Sequence, residues 1–209
     1  MPYRKKTHSR LALRPISCYT SPNSTTLTEA MSIRMKVILD AQQIKAALRD
    51  QADNIIKQTP AGAELVVIGI RSRGEILAGR LCKLLSEKLK KDIPCGTLDI
   101  TLYRDDLNSP QGTEIPRVRA TEIEFDINEC LIILVDDVLY TGRSTRAAMD
   151  ALIDLGRPRA IRLAVLVDRA GREFPIQPDF AGVKTNVKPG KLVQVHLVES
   201  DGKDEVVEE

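Results

Sequence analysis

The sequence predicts an α/β fold, a mainly parallel twisted sheet flanked by helices, and two observations lead to this prediction. Short, continuously apolar runs, which are typical of buried parallel strands, occur between segments whose apolar residues recur at helical spacing. This alternation is the pattern of a parallel sheet with helices on both faces. The 209 residues are enough for a full hydrophobic core, and no internal repeat divides them. We therefore expect a single α/β domain.

The first half of the chain predicts a capped helix followed by a strand and a second helix. Asp40 is placed to cap the first helix, which we expect to end before Pro60. Residues 65–70 are apolar throughout apart from one glycine and predict a central strand. A turn at residues 71–74 then leads into a second helix, in which leucines recur between positions 77 and 89.

The second half of the chain continues the alternation. Residues 95–103 alternate apolar and polar side chains, which predicts a strand. Residues 104–120 lack an apolar period, and we expect them to form a mobile loop that acts as a lid. A further helix is predicted over residues 147–155. Three more strands are predicted at residues 131–135, 161–167 and 192–198.

The most informative stretch runs from residue 131 to residue 145. Five apolar residues end at two adjacent carboxylates, Asp136 and Asp137, and a loop of small and hydroxyl residues leads into a helix. Free N–H groups at a helix N-terminus favour phosphate, and ligands of open α/β sheets bind beside the C-terminal ends of the strands. The stretch therefore predicts a site for a ribose 5-phosphate. The alternative is an ordinary strand–turn–helix unit with a capped helix and two solvated acids.

Residues 135–144, Val-Asp-Asp-Val-Leu-Tyr-Thr-Gly-Arg-Ser, resemble the signature of type I phosphoribosyltransferases, which bind 5-phosphoribosyl 1-diphosphate (PRPP). The Leu-Tyr-Thr-Gly-Arg form of this signature is similar to that of the PyrR family, bifunctional pyrimidine regulators with uracil phosphoribosyltransferase activity. The resemblance implies a phosphoribosyltransferase domain over residues 35–209, with a small hood mainly at residues 170–209. The other matching segments are residues 37–40, 69–74, 99–107, 156–158 and 163–169.

The resemblance implies that uracil reacts with PRPP, accompanied by Mg²⁺, to give UMP and diphosphate. Asp136 and Asp137 would hold the ribose hydroxyls and favour the positive charge that develops on the ribose, and Arg104 would close over the diphosphate. Ser72 and Arg73 match the diphosphate loop, where the Arg73 guanidinium offers a fixed fork of donors to phosphate oxygens. The other expected PRPP or UMP contacts lie in the signature loop: Val138, Leu139, Tyr140, Thr141, Gly142, Arg143, Ser144 and Thr145.

The expected base is a pyrimidine. Tyr140 stands at the position where purine enzymes of this fold carry an Asp, which favours uracil over hypoxanthine or guanine. Arg169 matches a nucleotide-contacting position, and we expect Phe180 and Val183 to line the hood over the uracil ring. The family continues with Gly-Lys-Asn at this point, whereas Gly182 is followed here by Val-Lys-Thr. A purine phosphoribosyltransferase is the alternative.

The resemblance also implies regulation of pyrimidine genes through binding of a leader mRNA stem-loop when UMP is bound. Such a surface should be basic, because phosphate contacts dominate affinity for RNA. The candidate RNA contacts are Arg49, Arg172 and Lys188, whereas Asp50 and Asp53, close to Arg49 in the first helix, would repel phosphate. An enzyme that also regulates, a regulator whose activity is secondary, and an enzyme without regulation all stay open.

Composition limits the other classes of function. Outside the basic segment 1–30 and the acidic segment 199–209, 25 Lys and Arg face 22 Asp and Glu, so the body is not a general polyanion binder. Four cysteines without Cys-x-x-Cys spacing and two histidines predict neither a zinc site nor disulfides and favour a reducing cytoplasm. The sequence contains no apolar run long enough to span a membrane.

Two expectations concern the N-terminal segment and the assembly. Residues 1–34 are rich in Ser, Thr, Arg and Lys without an apolar period, so we expect a disordered extension, or one that follows a start codon placed too early. A transit peptide is the alternative. Members of the resembled family form dimers that pair into tetramers, which implies a homodimer or tetramer here.

Overall fold

A computed structural model describes residues 35–105, 120–188 and 190–209. The expected N-terminal extension and most of the expected lid lie outside these described residues. Within them the chain forms two sheets, three long helices and two short ones. The strands are β1 (Lys36–Asp40), β2 (Leu65–Ile70), β3 (Cys95–Leu98), β4 (Leu131–Leu139), β5 (Ala160–Arg169), β6 (Phe180–Thr185), β7 (Val193–His196) and β8 (Glu205–Glu208). The α-helices are α1 (Ala41–Gln58), α2 (Arg73–Leu89), α3 (Arg143–Leu155) and α4 (Val198–Asp201), and a 3₁₀ helix covers Thr101–Tyr103.

The central sheet has five parallel strands in the order β3-β2-β4-β5-β6. After β2 the chain moves outward to β3, and from β4 onward it continues on the other side of β2. The strand order therefore reverses between β2 and β4. In open parallel sheets this is where a crevice forms outside the C-terminal ends of the strands. The fold thus locates a site at the ends of β2 and β4.

Helices cover both faces of the central sheet, as the sequence predicts. On one face α1 and α2 pack against alternate residues of β2 and β4, such as Val67 and Ile133. On the other face α3 packs its alanines and Leu152 against the intervening residues, such as Ile68 and Leu134. Both faces of β2 and β4 are buried, which accounts for their continuously apolar sequences.

The first helix begins where the sequence predicts. The Asp40 carboxylate accepts from the Gln43 backbone N–H at 2.8 Å, and the Gln43 side chain accepts from the Asp40 N–H at 2.9 Å. This reciprocal pair is a capping box, which satisfies two N–H groups that a helix start leaves without partners. The helix ends at Gln58, ahead of Pro60.

The second sheet is smaller, antiparallel and ordered β1-β8-β7. Together with α4 it forms the part of the domain that we call the hood. Residues 192–198, predicted as a strand, form β7 in the hood and not a strand of the parallel sheet. Within the segment 170–209 assigned to the hood, β6 is instead the edge strand of the central sheet. The predicted strand at 95–103 ends at Leu98 and continues as a 3₁₀ turn.

Helix α2 approaches β4 very closely at Gly74. A Cβ at this position would lie 2.6 Å from the Val135 carbonyl oxygen and 3.1 Å from the Asp136 Cα, closer than side chains tolerate. Glycine therefore lets the start of α2 rest directly on the strand that carries the two carboxylates. In contrast, a Cβ at Gly79 in the same helix would meet nothing within 4 Å.

We predict opposite effects of alanine at these two positions. Gly74→Ala should lower the free energy of unfolding by about 1–3 kcal/mol, because the added methyl group overpacks the contact with β4. Gly79→Ala should raise it by roughly 0.5–1 kcal/mol, because alanine is the better helix former and has free space here. Urea unfolding measures both. A stabilised Gly74→Ala variant would show that the close approach to β4 is wrong.

Candidate functional site

The two carboxylates lie where the strand order reverses. Asp136 and Asp137 belong to the C-terminal part of β4, and a cavity of about 230 Å³ opens beside them. Ser72 and Arg73, at the turn from β2 into α2, line the same cavity, and so does Arg104. The structure therefore brings together five residues that the sequence assigns to the PRPP site from three separate segments. Other lining residues include Asp99, Thr101 and Ser144.

Burial dominates the electrostatics of the carboxylate pair. Asp136 is 8% exposed, and this burial raises its pKa well above the ordinary range, with a further rise from the Asp137 charge. Burial also raises the pKa of Asp137, although the Val138 N–H, the Asp136 side chain and the charge of Arg73 oppose that rise. Two adjacent carboxylates, of which Asp136 is buried and Asp137 half-buried, are costly to ionise together. They therefore favour a ligand that brings positive charge or hydrogen-bond donors.

The turn between β4 and α3 forms a second cavity of about 150 Å³ next to the first. Gly142 is the residue before α3 and has a φ of 93°, which favours glycine. Gly142 offers no side chain to cap α3, and the Arg143 N–H donates to the Thr141 hydroxyl at 3.3 Å, so the N–H groups that follow in the first turn are the ones that can receive an anion. The lining residues of this cavity are Asp136, Val138, Leu139, Tyr140, Thr141, Gly142, Ser144 and Thr145. Seven of these come from the signature loop expected to bind phosphate.

Arg143 points to carboxylates within the protein. Its guanidinium forms ion pairs with Asp105 and with Glu173, the latter at 2.6 Å, and it lies over the Phe174 ring. Arg143 therefore links the signature loop to Asp105, which precedes it in the chain, and to Glu173, which follows it. A direct contact between Arg143 and PRPP or UMP stays a prediction.

Arg172 stabilises the signature loop through hydrogen bonds to its backbone. Its guanidinium donates to the carbonyl oxygens of Leu139 at 3.1 Å and Tyr140 at 2.6 Å, and it also pairs with the Asp168 carboxylate. It donates further to the Arg169 carbonyl at 2.8 Å. The sequence assigned Arg172 to RNA because of its charge. In the structure the Arg172 guanidinium instead donates to backbone carbonyls and to a carboxylate within the protein. These contacts join distant segments and leave no periodic pattern in the sequence.

Arg169 and Tyr140 stack on each other. The Arg169 guanidinium lies 3.9 Å from the centre of the Tyr140 ring, and Arg169 is only 4% exposed. One of its Nη atoms donates to the Lys191 carbonyl at 3.1 Å, and its Nε is buried without a partner. This cation–π contact orders the tyrosine at the mouth of the signature loop. Contact of Arg169 with the nucleotide stays a prediction.

Phe180 does not lie over a ligand site. It begins β6, is 5% exposed and packs in the core between the central sheet and α1. Val183 lies further along the same strand and packs against the same core. The expectation that Phe180 lines the hood over the uracil ring is therefore wrong, because this side chain packs in the core beneath the edge strand of the sheet. A contact of Val183 with uracil stays a prediction.

The basic residues expected to meet RNA differ in their surroundings. Arg49 on α1 and Lys188 after β6 are exposed. Asp53, expected to repel phosphate, pairs with Lys88 at 2.7 Å, and this hydrogen bond holds the pKa of Asp53 below its ordinary value. The charge of Asp53 is thus compensated by α2, whereas Asp50 is exposed.

Comparison with known proteins agrees with this geometry. The family model of the phosphoribosyl transferase domain matches residues 35–200. The bifunctional protein PyrR of Deinococcus deserti is 49% identical over 176 residues, which cover 84% of this chain and 95% of that protein. The bifunctional protein PyrR of Limosilactobacillus fermentum is 47% identical over 169 residues, which cover 81% and 94% respectively.

Solved structures share the fold at low identity. The hypoxanthine phosphoribosyltransferase of Trypanosoma cruzi superposes with a TM-score of 0.61 at 16% identity, over 83% of this chain and 95% of that one. A hypoxanthine-guanine phosphoribosyltransferase from Bacillus anthracis gives 0.59 at 17% identity, over 84% and 98%. The chain has the fold and the domain of a phosphoribosyltransferase. Its identity of 47–49% to the two bacterial relatives, over most of each sequence, defines the family more narrowly. The chain belongs to the PyrR family.

None of the helices in the described ranges combines the length and apolar character needed to cross a bilayer. Among the same residues, no group of three or more His, Cys, Asp or Glu side chains is arranged to hold a metal ion.

We predict that Asp136→Asn stabilises the protein at neutral and higher pH. The folded-state pKa of Asp136 lies above its ordinary value of 3.8, so the contribution of this carboxyl group to stability is fully present below about pH 3.8 and is lost as pH rises through the folded pKa. The Asp136→Asn variant avoids that loss, because its side chain is neutral at every pH. Its unfolding temperature should exceed that of the wild type by a few degrees at pH 8, and the difference should shrink at pH 4.

The exposed Asp50→Asn on α1 is the control for this measurement, because the substitution is the same but removes no buried charge. Equal unfolding temperatures for wild type and Asp136→Asn at pH 8 would contradict the burial of an unfavourable charge.

Proposed function

We propose that this chain transfers the phosphoribosyl group of PRPP to uracil and, with UMP bound, regulates pyrimidine genes by binding leader mRNA. Membership of the PyrR family and the joined cavities beside Asp136 and Asp137 support the proposal. The single observation that carries it is the adjacent carboxylate pair, with Asp136 buried, between a loop suited to phosphate and an arginine suited to diphosphate.

In this reaction the bond between the ribose anomeric carbon and diphosphate breaks, and uracil N1 bonds to the same carbon. Positive charge grows on the ribose and negative charge on the leaving group. Asp136 and Asp137 would accept hydrogen bonds from the ribose hydroxyls and favour the positive ribose, because their charge is preorganised in a buried site. Arg73 and Arg104 would receive the diphosphate, and the N–H groups at the start of α3 would hold the 5-phosphate.

The residues present fit a Mg²⁺ ion that arrives with PRPP. Two adjacent carboxylates with raised pKa values gain from a divalent cation, and Mg²⁺ in phosphoryl sites is held by one or two carboxylates together with substrate oxygens. Asp136 and Asp137 are the residues that would hold it. When bound, the ion would offset the negative charge on the departing diphosphate.

Uracil is the base that the chemistry of the loop favours. Tyr140 lines the phosphate cavity where purine enzymes of this fold place an Asp, and its ring stacks on Arg169. A phenol hydroxyl does not offer the negative charge of a carboxylate to the proton of a purine ring nitrogen, so Tyr140 does not replace the group that the purine enzymes use. The solved purine enzymes share only the fold with this chain.

Turnover of three bases tests the enzyme proposal. Incubation of PRPP and Mg²⁺ separately with uracil, hypoxanthine and guanine should release diphosphate fastest with uracil. Asp136→Asn and Asp137→Asn should each lower the uracil-dependent rate on the order of 10²-fold or more, because each removes a charge that favours the transition state. Asp50→Asn is the matched control. Faster turnover of either purine would overturn the choice of base, and full activity of both site variants would overturn the site.

The regulatory part of the proposal rests on the family and on exposed basic residues. Arg49 and Lys188 are exposed, and the pairing of Asp53 with Lys88 removes one of the two repulsive charges expected on α1. Arg172 is left out of the proposed RNA surface because its donors are engaged behind the signature loop. The chain would act as a homodimer or tetramer, as the family resemblance implies.

A gel-shift titration with the leader RNA, with and without UMP, tests this regulation. Arg49→Ala and Lys188→Ala should each weaken binding at low salt and lower the salt slope by about one, because each removes a phosphate contact. Uracil turnover should be unchanged. Lys203→Ala is the control, since Glu205 already neutralises Lys203 at 2.6 Å. Absence of a shift at micromolar protein with UMP at low salt would leave the enzyme without regulation.

A further inference from the structure

Three carboxylates of the hood meet two arginines of α2. The Arg80 guanidinium donates from Nε to Glu199 at 2.9 Å and from Nη1 to Asp204 at 2.9 Å. Arg73 donates from Nη2 to Asp201 at 3.1 Å. Arg73 and Arg80 are seven residues apart, so they lie on one face of the helix. The acidic segment at the end of the chain is therefore docked on a basic helix face.

The two arginines differ in what else they touch. Arg80 lies in the middle of α2, and both sides of its guanidinium are occupied by hood carboxylates. Arg73 is the first residue of α2 and lines the cavity that contains Asp136 and Asp137. Arg73 therefore belongs both to the docking of the hood and to the proposed diphosphate site, whereas Arg80 belongs to the docking alone.

The Arg73 guanidinium uses only part of its hydrogen-bonding capacity within the protein. One Nη2 contact reaches Asp201, and its Nε is buried without a partner. A buried donor without an acceptor is unfavourable, and most proteins avoid it. The guanidinium is thus held by one edge, with further N–H groups left for an anion that enters the cavity.

Asp201 is itself fixed by its own turn. Its Oδ2 accepts from the Leu197 backbone N–H at 2.9 Å and from the Ser200 hydroxyl at 2.7 Å, while Oδ1 accepts from Arg73. These hydrogen bonds, that of Ser200 first, lower the pKa of Asp201 to about 2. The carboxylate is therefore a charged acceptor in a defined place. It does not adjust freely to wherever Arg73 points.

We propose that Asp201 is a positioning residue that holds Arg73 in the orientation in which its remaining donors receive diphosphate. The inference rests on the proposed function, because it requires diphosphate to bind at Arg73. An arginine fixed in advance loses less side-chain freedom when the anion binds, which favours affinity. A partly exposed ion pair adds little to stability. The effect of Asp201 is therefore expected in diphosphate affinity, not in the unfolding temperature.

The test is calorimetric titration of the full chain with inorganic diphosphate and Mg²⁺. Asp201→Asn should weaken diphosphate binding about fivefold, the loss expected for one charged contact of this kind. Glu199→Gln, which alters the docking of the hood at Arg80 without touching Arg73, should bind like the wild type. Asp201→Glu, which keeps the charge, should bind within about twofold of the wild type.

A second background separates positioning from loosening of the hood. In an Arg73→Gln chain, Asp201→Asn should have no further effect on diphosphate binding, because Asp201 then has no arginine to hold. An equal loss in both backgrounds, or wild-type affinity for Asp201→Asn, would overturn the proposal. Absence of diphosphate binding by the wild type would also overturn it. Failure of uracil turnover alone would not, since the titration contains no base.

Discussion

The structure depends on one constraint, the packing of two adjacent carboxylates, one buried and one half-buried, at the point where the strand order reverses. Asp136 and Asp137 can lie there because β4 is covered on both faces and continues past the apolar core into a polar crevice. Their repulsion is tolerated by the fold and is useful only when a ligand compensates it. The neighbouring parts serve the same site: a glycine that lets α2 touch β4, a helix that starts after a glycine in the left-handed region, and an arginine at the edge of the cavity.

Much of this could be predicted from the sequence, because the informative signals are local. Continuous apolar runs correctly predicted β2, β4 and β5, and Asp40 correctly predicted the start of α1. The signature loop was located because its order of residues is distinctive over a short stretch. The joining of Ser72, Arg73 and Arg104 to the carboxylates follows from the meeting of strand ends at one edge of a parallel sheet.

What the sequence did not reveal depends on contacts between distant segments. β1 and β8 are short, and β1 pairs with β8 alone, which lies at the far end of the chain. Phe180 was assigned to the ligand because a lone aromatic in a matched segment carries no sign of which side of the sheet it faces. Arg172 looked like a surface charge, but five acceptors drawn from β4, β5 and the following turn surround it. The charge of an arginine alone does not show whether its donors stabilise a loop within the protein or bind a partner.

The pairing of β1 with β8 also sets an order of assembly during synthesis. Its register joins Lys36 to Glu208, so the first strand of the domain must wait for nearly all of the remaining chain. The parallel strands β2 to β5 pair over shorter separations and are complete much earlier. Contacts between distant residues form late because closing long loops costs entropy. A ribosome-bound chain would therefore hold a nearly finished sheet with an unclosed hood, and a shortened product lacking β8 would retain the carboxylates but leave β1 without a partner.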